Sequence, residues 1–129
     1  MTIEERAEKA VAIRAQGRGN CCQSVVLALA DLTPLTEEQL ASAASGFGGG
    51  MGNREGSCGA LVGAGLAAGL YDDEKPSRFG KMISDDFLSH CGAVICKELK
   101  RVENGKPLCP CEECIRAAVR ACGRALSLE

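Results

Sequence analysis

Six of the eleven residues from Gly46 to Gly56 are glycine, and a cysteine heading an apolar run, Cys58 to Leu70, follows almost directly. Glycine at that density permits positive φ and close backbone approach but opposes a stable helix, so the segment reads as a loop with a purpose. The apolar run carries Gly59, Gly63, Gly65 and Gly69 and reads as a buried central helix. Each interior glycine costs a helix about 1 kcal/mol relative to alanine. Four of them predict that neighbouring backbones or a bulky prosthetic group come very close.

The flanking segments have helical spacing with recognisable starts and stops. Ile3, Ala7, Ala10, Val11 and Arg14 mark a helix within residues 2–17, capped by Thr2 and stopped by Gly17 and Gly19. Asn20 caps a second helix that carries Cys21, Cys22, Val25, Val26, Leu29 and Leu32 and ends before Thr33-Pro34. Thr36 and Gln39 have the form of a capping box for a third helix running to about Ser45. Residues 71–76 read as a polar turn, after which Ser77 caps a helix with Phe79, Met82, Ile83, Phe87 and Leu88 on its inner side. A helical stretch over 93–102, a turn at 103–107 and a last helix from Glu112 to about Leu126 complete the chain. The arginines of that last helix, Arg116, Arg120 and Arg124, read as a solvated face, and the acidic groups Asp72-Asp73-Glu74 and Asp85-Asp86 as solvated caps.

No strand alternation and no internal repeat emerges. The prediction is an all-α fold, a compact bundle of five or six short helices around the Gly-rich central helix, with residues 1–129 as a single domain. With one Tyr, three Phe and no Trp, the core must be filled by small aliphatic side chains packed around glycine.

A net charge of -2 concentrates no polyanion, and no basic-aromatic alternation offers stacking platforms, so nucleic acid is not an expected partner. The longest apolar window, residues 60–70, falls short of the roughly 20 residues that span a bilayer, so no membrane insertion is expected. The charged, amphipathic start is unlike a secretory signal, which makes a cytoplasmic location the expectation. In a reducing compartment, nine cysteines in 129 residues point to metal ligation or thiol chemistry rather than a disulfide framework.

Cys58 opens a helix directly after the glycine loop, where unpaired backbone N–H groups and the positive end of the helix dipole favour a thiolate or donate to cluster sulfur. Together with Asn20-Cys21 before an apolar helix, Gly46-Phe47-Gly48-Gly49-Gly50-Met51-Gly52, Cys58-Gly59-Ala60-Leu61-Val62-Gly63, Cys96-Lys97-Glu98-Leu99 and Cys114-Ile115, the chain resembles the C-GCAxxG-C-C family of redox-active proteins. The pattern is also similar to the non-haem portion of split-Soret cytochromes. Carried over, the family's four motif cysteines fall on Cys21, Cys58, Cys96 and Cys114, and Gly59 and Gly63 fall within the same motif. The resemblance implies a redox role. Four cysteines match the number an iron–sulfur cluster needs, which makes these four the expected metal ligands, with Gly59 and Gly63 beside the cofactor. No Cys-x-x-Cys-His is present, so covalent haem is not expected.

Five further cysteines, Cys22, Cys91, Cys109, Cys111 and Cys122, leave other readings open. The same cysteines could act as a metal-free dithiol relay. Alternatively, Cys109, Cys111 and Cys114, with Cys91, Cys96 or His90 as fourth ligand, could form a zinc site stabilising an interaction module. The redox partner protein is not identified by any motif. A homodimer that shields or shares the cluster is a further expectation, because apolar Gly-rich helices can pack across a subunit boundary.

Overall fold

Three of the helices start by the same local device, a reciprocal capping box. In the computed structural model, which describes residues 1–71 and 76–128, Thr2 caps α1 (Ile3–Ala15), its hydroxyl accepting from Glu5 N–H at 3.1 Å while the Glu5 carboxylate accepts from Thr2 N–H at 3.0 Å. Asn20 and Gln23 do the same for α2 (Cys21–Ala28), and Thr36 and Gln39 for α3 (Glu37–Ala44). Each box satisfies two backbone donors that a helix start leaves unpaired. The other helices are α4 (Gly59–Tyr71), α5 (Pro76–Cys91), α6 (Cys96–Leu99) and α7 (Cys111–Ala125). Seven α-helices among the described residues, one more than the upper expectation, form the all-α fold.

The central position falls to α4, which packs against α2, α5 and α7, while α7 also packs on α1 and α5. The core between them is made mainly of small aliphatic side chains, as the composition requires: Ala60, Ala64 and Ala68 of α4, Val25 of α2 and Ile115, Ala118 and Val119 of α7 are fully buried, around the single large ring of Phe87 of α5. A second cluster, Cys22, Val26, Leu40 and Ala44, joins α2 to α3. Arg6 of α1 is buried, and its guanidinium donates to both carboxylate oxygens of Asp31 and to Ala28 O, which fixes α1 to the end of α2. A buried charge needs that kind of complete pairing. Among the described residues, no helix is long and apolar enough to cross a membrane.

Several expectations are corrected. The stretch 93–102 is not a helix: only Cys96–Leu99 turns once, because Ser57 and Ile95 form an antiparallel bridge that holds the preceding residues extended. A small hairpin follows, β1 (Val102–Glu103) paired with β2 (Lys106–Pro107) across Asn104-Gly105, both at positive φ. This is the turn chemistry that Asn-Gly favours. The α5 helix begins at Pro76, so Ser77 lies inside its first turn, and Met82 and Leu88 are exposed rather than on its inner side. The arginines of α7 form no merely solvated face. Arg116 and Arg120 donate in bidentate fashion to Glu8 and Glu4 of α1, and Arg124 to Asp86 of α5. Asp86 is therefore an inter-helix partner and not a cap, while Asp85 pairs with Lys81 within α5. The group Asp72-Asp73-Glu74 lies outside the described residues.

Candidate functional site

The glycine loop is wound rather than open. Gly49, Gly50, Met51 and Gly52 follow one another at positive φ, between 58° and 79°, a left-handed turn that three glycines make accessible. Gly50 must be glycine for a second reason, since a Cβ there would stand 2.5 Å from Cys96 Cβ. The loop is then pinned to the segment before α6: Cys96 N–H donates to Gly56 O at 2.9 Å and Cys58 N–H to Val94 O at 2.7 Å. These two bonds bring cysteines 38 positions apart in sequence, Cys58 and Cys96, to one place.

The other side is built from helix starts. Cys21 is the first residue of α2 and its sulfur lies against Gly59, where a Cβ would come within 2.5 Å of Sγ and 2.6 Å of Phe47 O. Cys111 is the first residue of α7, and Cys114 lies in its first turn with its N–H on Pro110 O. Cys21, Cys58, Cys96, Cys111 and Cys114 thus all line one cavity of about 170 Å³, together with Gly59 and the cationic side chains of Arg14, Arg54 and Lys100. Among the described residues, none of these three cations is within ion-pair distance of a carboxylate. The starts of α2, α4 and α7 add the positive ends of their dipoles, so the cavity favours a bound negative charge.

In the protein alone three of these sulfurs, Cys58, Cys96 and Cys114, are held as thiols. The neighbouring Cys114 thiol, followed by burial, pushes Cys58 far above the usual cysteine range, against the lowering pull of the Leu61 and Ala60 backbone N–H groups. The expected stabilisation of a thiolate at Cys58 is thereby corrected: the donors of the helix start are present, but the crowding of a second sulfur outweighs them. Burial raises Cys96, with Lys100 opposing. Cys114 is drawn down by its bond to Cys58 and pushed up by Cys91 and by burial, and the upward effects prevail. Buried neutral thiols are poor nucleophiles.

Of the residues singled out from sequence, Cys21, Cys58, Cys96, Cys114 and Gly59 are brought to the cavity wall. Gly63 lies elsewhere, at the crossing of α4 with α2, where a Cβ would meet Cys22 O at 2.9 Å. Among the described residues, and apart from the backbone of α4 itself, nothing stands within 4 Å of a Cβ added at Gly65 or Gly69, so the expected close approach is absent there. Sequence reasoning did not place Cys111 at the site, nor the three cations. The run Cys109-Pro110-Cys111 just before a helix start is the available signal for Cys111. The arc of Cys109, Cys111 and Cys114 does not close on itself: Cys109 and Cys114 gather with Cys91 instead, and Cys111 turns to the cavity. His90 is exposed and its Nδ1 lies 3.0 Å from Asp86 O. All nine cysteines are free.

Fold and site together define a small all-α protein whose cysteines collect where helices begin. Residues 19–125 match the model of the family described as "putative redox-active protein (C_GCAxxG_C_C)", and the chain belongs to that family. No curated protein and no solved structure matches it.

Proposed function

We propose that the cavity binds an iron–sulfur cluster through Cys21, Cys58, Cys96 and Cys114 and that the protein transfers single electrons in the cytoplasm. The observation that carries this reading is the meeting of those four cysteines, spread from α2 to α7, on the wall of one cavity. The donor set fits the group: thiolates are the usual ligands of such clusters, and Arg14, Arg54, Lys100 and the helix starts offset the negative charge of a cluster with four thiolates. A bound cluster would supply a reversible one-electron couple. The chain's own part is to hold four sulfurs in place, to neutralise charge and to limit water through the wound glycine loop.

The raised pKa values of Cys58, Cys96 and Cys114 favour a metal over a metal-free relay. A dithiol relay needs an attacking thiolate near neutral pH, whereas metal binding itself releases the proton from a buried cysteine. The test is a visible and paramagnetic-resonance titration of anaerobically purified protein. A coloured protein that bleaches reversibly on taking up one electron, with a signal appearing or vanishing in step, is the expected result. Colourless protein whose free-thiol count changes reversibly by two would replace the cluster with the dithiol reading.

A further inference from the structure

Behind the cavity lies a second group of three sulfurs, two of which the cluster reading does not use. Cys91 ends α5, Cys109 lies just before α7 with its N–H bonded to Leu99 O at 3.0 Å, and Cys114 lies in the first turn of α7. Their three Sγ atoms lie within 4.8 Å of one another, and all three residues are buried. No other cysteine, histidine or carboxylate joins them at that spacing among the described residues. Cys91 and Cys109 are absent from the wall of the main cavity and instead line a smaller one of about 140 Å³, beside His90 and Glu113.

We propose that Cys91, Cys109 and Cys114 form a three-thiolate zinc site that shares only Cys114 with the cavity site, with its fourth coordination position toward the smaller cavity. Tetrahedral zinc with sulfur at about 2.3 Å places its sulfurs about 3.8 Å apart, so the trio needs only a small contraction to close on the ion. Three thiolates and one zinc ion leave a single negative charge. The Lys100 ammonium, 3.6 Å from Cys114 Sγ and 3.3 Å from Cys109 O, is placed to offset it. On binding, three S–H bonds break, three Zn–S bonds form, and the three protons pass to solvent with no change of oxidation state.

Cys114 is the one residue common to both groups, and Cys111 stands on the cavity wall to complete four cluster ligands when Cys114 serves zinc. The zinc reading thus exchanges Cys114 for Cys111 in the ligand set of the proposed cluster, and separate iron and zinc contents tell failure of one reading from failure of the other. The experiment is metal analysis of the full chain after zinc loading, with zinc absorption spectroscopy to count sulfur neighbours. One zinc per chain is expected in the parent. It is weakened at least tenfold in Cys91→Ser and in Cys109→Ser with iron content unchanged, and retained in Cys21→Ser/Cys96→Ser, where three sulfurs at about 2.3 Å are expected. That last measurement stands even if the two serine variants of the trio fail to fold. Zinc that survives Cys91→Ser and Cys109→Ser, or that disappears from Cys21→Ser/Cys96→Ser, or fewer than three sulfur neighbours in the latter, would overturn the proposal.

Discussion

At the scale of single residues, the chemistry of this chain is decided by what surrounds each sulfur. Cys22 and Cys122, neither on the cavity wall, are pushed up to about 12 from 9.0, in both cases first by burial. Below pH 9 these thiols keep their protons in folded and unfolded chains alike and the full stability is present. Above it the unfolded chain loses protons first, so stability falls as pH rises toward 12. Thermal melts of the metal-free protein should therefore drop steeply above pH 9, and Cys122→Ala should flatten part of that fall; a level melting temperature up to pH 11 would contradict it. Gly59 sets a second residue-scale prediction. An added methyl group would overlap Cys21 Sγ and Phe47 O, so Gly59→Ala should lower iron occupancy at least severalfold while leaving helix content near that of the parent. Iron content equal to the parent would show that Cys21 need not sit against α4.

At the scale of elements, the glycines of α4 divide into two kinds. Gly63 faces backbone and a β-branched side chain of α2, Cys22 O at 2.9 Å and Val25 Cβ at 3.1 Å, which cannot retreat cheaply. Gly63→Ala should destabilise by roughly 1–3 kcal/mol through overpacking, despite the better helix propensity of alanine. Gly65→Ala and Gly69→Ala meet no neighbouring element among the described residues and should stabilise by up to about 1 kcal/mol. Denaturant unfolding of the three variants checks the contrast, and destabilisation at Gly65 would mean that a second chain packs on that face. The elements also show what the sequence made legible. Capping boxes at Thr2, Asn20 and Thr36 are local, involving partners three residues apart, and the helices they announce start where the spacing predicts, though α2 stops at Ala28 and a separate 3-10 turn takes Ala30–Leu32. The segment before Cys96 is not local: its extended form depends on Ser57, which the helical pattern of residues 93–102 cannot reveal. Likewise Arg116 and Arg120 of α7 find their acids on α1 more than a hundred positions away, a pairing that only the bundle creates.

At the scale of the whole molecule, the site is a product of assembly. The matched family segment, residues 19–125, contains every cysteine of the cavity, yet no two of Cys21, Cys58 and Cys96 belong to the same element. The motif pointed to four cysteines, but it could not show that Cys111 shares their cavity, that Cys91 and Cys109 gather with Cys114, or that Arg14 and Arg54 line the cavity from distant parts of the chain. Those features arise from the packing of α7 across α1, α4 and α5, and they supply both the charge balance and the second sulfur group. The most direct test is iron and acid-labile sulfide per chain in anaerobically purified parent, Cys58→Ser and Cys122→Ala proteins. The account predicts iron and sulfide in the parent and in Cys122→Ala, whose sulfur is buried away from the cavity, and their loss in Cys58→Ser. Absence of both from the parent, or equal amounts in all three, would contradict it.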